Sequence, residues 1–309
     1  MNLDKIIFPA LRATMTLCIA ILLIIGWQNS SLAACVDYQT QVNQAVQAQD
    51  LGTLESLLMT LQGTDCSRGY IDWLERSMAQ IAAAQADMFA QQNKWTQAKT
   101  LLERAPTIVW ASQVVRGDIA AHHKQWQKAA QFYNQALDLI ADPQLTPQSP
   151  PSAVIRKIYR LASESQILAN NLNASISRSG QANGMMRNNV RGFKPRERLI
   201  PIQFGFGKTR LTEKGKAAAS RLIAYLKQHD FSSVTLIGHT DSKGKHRVND
   251  RISKQRALTL KQYLVNSGIH ANIMTTGKGK REPLELDNSE NYTSDEIDAL
   301  NRRVEFVAE

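Results

Sequence analysis

Leu236 to Arg256 reads LIGHTDSKGKHRVNDRISKQR, and the rest of the chain is organised around this stretch. Val234-Thr235-Leu236-Ile237 predicts the end of a buried strand. A polar loop follows, and a helix is expected from Asn249. Asn249, Ser253 and Arg256 are spaced i, i+4, i+7, which places them on one helical stripe that continues as Leu260 and Leu264. The stripe is polar beside the strand end and apolar further along, which predicts a pocket at the helix start above a core. Asp241 would sit at the strand end and Arg256 inside the helix. A carboxylate and a guanidinium so placed can hold a ligand head that carries both an ammonium and a carboxylate. The Arg fork is suited to clamp the latter, and the helix N-terminus adds donors for the same anion. The plain alternative is a surface ion pair, which contributes little.

Thr240-Asp241, Gly244, Asn249, Ile252-Ser253 and Arg256-Ala257 fit the pattern T-D-x-x-G-x(4)-N-x-x-[IL]-S-x-x-R-A, and Asn301-Arg302-Arg303-Val304-Glu305 fits a later N-R-R-V-E box. With these fixed points, residues 199–309 resemble the OmpA-like peptidoglycan-binding domain. The resemblance implies that Asp241 and Arg256 grip the diaminopimelate of the peptidoglycan stem peptide. It also implies supporting roles for Asn249 and Arg302, and a peptidoglycan-binding site that includes Thr240 and Ser253. Family members often carry F-D-F-D in the first strand. Here the stretch is Phe204-Gly205-Phe206-Gly207, so no acidic contact is expected from it.

Charge agrees with an anionic partner. The 309 residues carry a formal net charge of +10, and from Met185 onward 23 Lys/Arg against 14 Asp/Glu leave +9 in that part alone. Neither zinc-finger spacing nor the aromatic motif of an RNA-binding sheet is present, so nucleic acid is not the expected partner.

Residues 1–34 read as a signal peptide. Lys5 and Arg12 precede an apolar run from Ala13 to Trp27 that is short for a membrane span, and Ser31-Leu32-Ala33 suits cleavage. An uncleaved anchor is the alternative. Either way, export to the periplasm or cell envelope is expected, with an association with the outer membrane as a further option. Beyond the leader, Cys35 and Cys66 form a pair suited to a disulfide. The rival is a lipobox at Leu32-Ala33-Ala34-Cys35, which would lipidate Cys35 and leave Cys66 alone. Gln28 to Ser31 separate that site from the apolar run, which favours the disulfide.

Residues 35–172 are rich in Ala, Gln and Leu at helical spacing. Helix pairs are expected at Tyr38–Ala48 with Leu54–Leu61, Trp73–Gln91 with Trp95–Leu102, and Val109–His122 with Trp126–Leu139. The corresponding turns are Gln49-Asp50-Leu51, Gln92-Asn93-Lys94-Trp95 and His123-Lys124-Gln125-Trp126. This texture resembles degenerate tetratricopeptide repeats, which implies a groove for a protein partner. An ordinary helical bundle is the alternative. Trp95 and Trp126 are expected to pack within the repeats. His122 and His123 are adjacent and so point to different faces, which argues against a metal site. A Pro-rich break at Asp142–Pro151, a further helix over Ala153–Leu172 and a linker over 173–198 follow.

The C-terminal segment alternates: strand Leu199–Phe206, helix Thr212–Lys227, strand Val234–Gly238, helix Asn249–Asn266, strand Ile273–Thr276, a long polar loop, a helical turn and strand Arg303–Val307. The expected fold class is α+β multidomain, with an all-α helical-repeat domain followed by an α/β sandwich of βαβαβ-β order at 199–309. No Gly-rich phosphate loop, nucleophile set or metal set stands out, so neither a catalytic site nor a cofactor is expected. The expected function is non-catalytic binding of peptidoglycan, with the helical domain serving a protein partner. The alternative is an interaction adaptor whose OmpA-like domain no longer binds the wall.

Overall fold

Gln49, Asn93 and Lys124 share a left-handed backbone, with φ of 56°, 58° and 56°, and each stands two residues before a helix. In this computed structural model each marks the turn of a helical hairpin. The structure describes residues 33–169, 190–192, 197–200, 202, 204, 208–229, 231–286 and 289–308. The signal peptide expected at 1–34 and the linker expected at 173–198 lie largely outside them, as do Gly205, Phe206 and Gly207.

The hairpins are α1 (Ala33–Ala48) with α2 (Leu51–Gln62), α3 (Arg68–Gln91) with α4 (Trp95–Glu103), and α5 (Trp110–His122) with α6 (Trp126–Ala141); α7 (Ser152–Leu168) follows. Asp50 caps α2 by accepting from the Thr53 amide at 3.1 Å, and Ser67 caps α3 from the Tyr70 amide at 3.3 Å. Val42, Leu54, Leu61, Leu74 and Met78 are buried together where α1, α2 and α3 meet. A Cys35–Cys66 disulfide, with a Cα–Cα distance of 5.4 Å, ties α1 to the segment before α3. No helix among the described residues is long and apolar enough to cross a membrane.

The chain divides into two compact units. One comprises the chain up to Ala120 together with Gln135–Ile158; the other comprises Ala121–Asn134 with Tyr159–Glu309. In the second unit lie β1 (Glu197–Ile200), α8 (Glu213–His229), β2 (Ser233–His239), α9 (His246–Asn266), β3 (Asn272–Gly279), α10 (Ser294–Asn301) and β4 (Val304–Ala308). The sheet order is β1-β4-β2-β3. β4 runs antiparallel to both neighbours, while β2 and β3 are parallel. The last strand is therefore central, and the residues just before it lie beside the end of β2. Leu222, Leu226, Val234, Leu236, Leu260, Leu264, Ile273, Val304 and Phe306 form the core between α8, α9 and the sheet. Each such side chain stabilises the fold by roughly 1.5–3 kcal/mol.

Thr212 caps α8 by accepting from the Gly215 amide at 3.0 Å. Thr293 and Glu296 form a reciprocal capping box on α10. α9 stops at Ser267, and Gly268, at φ +80°, turns the chain away.

Several boundaries differ from the sequence expectation; α9, for one, starts at His246 rather than Asn249. β1 spans Glu197–Ile200 and Phe204 forms an isolated bridge to Leu211, while the rest of the stretch expected as strand up to Phe206 lies largely outside the described residues. β3 runs on through Gly279 instead of stopping at Thr276. Glycine explains the extension. Gly238 and Gly277 face each other across β2 and β3. A Cβ on Gly238 would fall on the Ser253 backbone carbonyl, and one on Gly277 would lie 2.6 Å from Ser253 Oγ. The bare backbone at both positions lets the first half of α9 lie directly on the sheet.

Candidate functional site

The site begins where β2 ends. The His239 amide donates to the Arg303 carbonyl at 2.9 Å, and the Thr240 amide to the Gly279 carbonyl at 2.9 Å. The strand end is thus fixed from both sides, and Asp241 follows it into the loop. Lys280 Nζ donates to the carbonyls of Ser242 and Gly244 at 2.9 and 2.8 Å. Asn249 Nδ2 donates to the Lys243 carbonyl at 2.8 Å. Gly244 supplies the φ of +83° that the turn into α9 requires. Loop 240–245 is therefore held by side chains from α9 and from the segment after β3.

Close contact of α9 with the sheet places Ser253 at 0% exposure, its hydroxyl accepting from the Gly279 amide at 3.0 Å and donating to the Asp250 carbonyl at 3.0 Å. One turn on, Arg256 is 5% exposed. Its Nε donates to the Lys208 carbonyl at 3.3 Å and its guanidinium lies 5.2 Å from the centre of the Phe204 ring. Among the described residues, its two terminal nitrogens have no hydrogen-bond acceptor. Burial pushes the Arg256 pKa down; Arg302 pushes the same way and Asp241 opposes both. These three charges are therefore electrostatic neighbours. Asp241 itself bonds to Arg302, whose Nη1 lies 2.9 Å from Asp241 Oδ2, and its Oδ1 accepts from the Lys243 amide at 3.2 Å. Two guanidiniums around one carboxylate leave a net positive site that suits a ligand carboxylate.

The six residues singled out from the sequence thus have distinct surroundings. Asp241, Arg256 and Arg302 form the charged group. Asn249 ties the loop to α9. Ser253 is enclosed against β3, and Thr240, 5% exposed, donates to the Asp241 carbonyl at 3.2 Å. Sequence reasoning missed Ser242, Lys243 and Asp298. The Asp298 carboxylate takes a hydrogen bond from Ser242 Oγ at 3.3 Å and an ion pair from Lys243 Nζ at 2.8 Å. Burial pushes the Asp298 pKa up, but Lys243 and Ser242 more than offset it and hold the carboxyl below its ordinary range. Beneath the site, His239 is 1% exposed and its Nε2 lies 3.4 Å from Glu305 Oε2, while Arg303 Nε donates to Glu305 Oε1 at 2.7 Å. Glu305 is likewise held below its ordinary value, the pull of His239 and Arg303 exceeding the opposing effect of burial. Trp126, expected to pack within its own repeat, instead stacks on Tyr292 at a ring-centroid distance of 5.6 Å and donates from Nε1 to Glu296 at 3.0 Å.

Comparison with known proteins matches part of the chain to a family. Residues 203–295 match the OmpA family, so the C-terminal third contains an OmpA-family domain. The chain is 37% identical over 104 residues to outer membrane protein A of Bordetella avium, which covers 33% of this chain and 51% of that protein. It is 32% identical over 108 residues to a peptidoglycan-associated lipoprotein of Legionella pneumophila, covering 34% of this chain and 58% of the relative. The chain therefore spans less than two thirds of either relative. Among solved structures, the peptidoglycan-associated lipoprotein of Burkholderia pseudomallei aligns at 23% identity and a TM-score of 0.31, over 37% of this chain and 91% of that one.

Proposed function

We propose that this chain, with its OmpA-family domain over residues 203–295, is a non-catalytic cell-envelope protein that binds peptidoglycan through the diaminopimelate of the stem peptide. The observation that carries this reading is Arg256: a guanidinium 5% exposed whose terminal nitrogens have no acceptor among the described residues, beside Asp241 at a braced strand end. A guanidinium anchored through Nε and one ring face can offer its two terminal nitrogens to a ligand carboxylate. In the proposed complex Arg256 takes the diaminopimelate carboxylate. Asp241 takes the ammonium, exchanging its Arg302 partner for the ligand, and Arg302 is released to the second side of the carboxylate. Asn249, Thr240 and Ser253 shape the loop and helix start beneath. The relatives named for peptidoglycan association support the same ligand class.

The helical hairpins are proposed to face a protein partner, for which Met59, 70% exposed on α2, and Met88, 48% exposed on α3, offer apolar contacts. The test of the main reading is co-sedimentation of the exported chain with purified sacculi, followed by titration of a diaminopimelate-containing stem peptide. Sedimentation that survives in Asp241→Ala and Arg256→Ala would place wall binding elsewhere. A wild type that ignores both ligands would favour an adaptor role.

A further inference from the structure

α10 has eight residues, too few to hold a helix in place through its own hydrogen bonds, yet both ends of it are tied to the candidate site or to the α5–α6 turn. At its far end, Asp298 holds Ser242 and Lys243, and Arg302, the residue that caps the helix, holds Asp241. At its near end, Glu296 collects donors. Its Oε2 accepts from the Thr293 amide at 2.8 Å and from Lys124 Nζ at 2.9 Å, and its Oε1 accepts from Trp126 Nε1 at 3.0 Å. Lys124 Nζ also donates to the Asn291 carbonyl at 2.7 Å. Trp126 lies nearly parallel to Tyr292, at 20°, and Tyr292 in turn donates its hydroxyl to Glu164 Oε2 at 2.8 Å. Lys124, Trp126 and Glu164 all belong to the same compact unit as α10. Burial pushes the Glu296 pKa up, but the Thr293 and Lys124 bonds outweigh it, so the carboxylate stays charged.

We infer that Lys124 and Trp126 are positioning residues for the Asp241–Arg256 site. They fix Glu296, Glu296 fixes the first turn of α10, and α10 sets where Asp298 and Arg302 meet loop 241–243. The identity of the ligand rests on the wall-binding reading above; the brace itself does not. The inference gives the α5–α6 turn an indirect part in ligand binding: whatever moves that turn alters the pocket through one short helix.

The test uses the full exported chain. Trp126→Phe keeps a ring on Tyr292 and removes the indole donor, Lys124→Met keeps the stem and removes the charge, and Lys124→Arg restores a donor. Amide exchange over residues 294–302 is measured without ligand, alongside titration with a diaminopimelate stem peptide and a global thermal melt. The expected result for the Lys124→Met/Trp126→Phe double variant is exchange in α10 at least about tenfold faster, with β2 and β4 unchanged and the melt preserved. Stem-peptide affinity falls about three- to tenfold and is largely recovered in Lys124→Arg. Unchanged exchange in α10 overturns the brace, and faster exchange with unaltered affinity overturns its positioning role. A wild type that ignores the peptide sinks the wall-binding reading alone, and exchange then decides the brace by itself.

Discussion

Replacing Arg256 by Lys keeps one positive charge and removes the fork, which makes it the sharpest test of the pocket. In the structure the side chain is 5% exposed, bonded through Nε to the Lys208 carbonyl and set against the Phe204 ring. A lysine ammonium in that place loses the planar stacking and can offer a carboxylate only a point charge. A charged hydrogen bond is worth about 1.5–3 kcal/mol, so losing one arm of a two-armed clamp should weaken stem-peptide binding about ten- to a hundredfold. Arg256→Ala should do at least as much. Asp241→Asn removes the negative charge that faces the ligand ammonium and should cost a similar factor. The double variant should lose less than the sum, because both residues hold one ligand head. Isothermal titration with the free peptide and with its diaminopimelate carboxylate amidated gives the decisive contrast. Amidation should cost the wild type about tenfold or more and Arg256→Ala almost nothing. If amidation weakens wild type and Arg256→Ala equally, the guanidinium does not hold that carboxylate and the reasoning fails.

Gly277→Ala should destabilise the C-terminal unit by about 1–3 kcal/mol through overpacking, since its Cβ would press on Ser253 and Lys254; urea melts measure it, and an unchanged midpoint would refute the close contact of α9 with β3. Reducing the Cys35–Cys66 bridge, or replacing both cysteines by Ser, removes a crosslink across 31 positions and should cost the α1–α3 region about 3–4 kcal/mol by chain entropy, read as a lower thermal midpoint and, on reduction, as a gain of two free thiols. Asp298, Glu296 and Glu305 all have folded pKa values below their ordinary ones. Their contribution is present above the unfolded-state pKa, near 4, and is lost as pH falls through the depressed folded values. Stability from denaturant melts should therefore fall steadily from about pH 5 towards pH 2, and Asp298→Asn should flatten that fall.

Helical period could reveal that Asn249, Ser253 and Arg256 share a stripe, and the stripe is where the structure has it. It could not reveal what the stripe meets. Period assigns a residue to a face, whereas its neighbour across the fold depends on strand order. Arg302 reaches Asp241 across 61 positions because β4 is inserted between β1 and β2, and nothing local to Arg302 encodes that insertion. The same applies to Gly238 and Gly277. In sequence Gly238 reads as a strand end and Gly277 as a loop glycine, and only their parallel register makes them a matched pair under Ser253. Trp126 misled for the opposite reason: its place at a helix start fitted the repeat pattern so well that packing within the hairpin was the natural reading. A tryptophan at such a turn has a ring to bury and one N–H to satisfy. Here Glu296, 170 positions away, accepts from that N–H. The N–H of a tryptophan at a helix start was thus the signal available in the sequence. Following it leads from the helical hairpin to α10, and from α10 to the carboxylate that the proposed ligand would have to displace from Arg302.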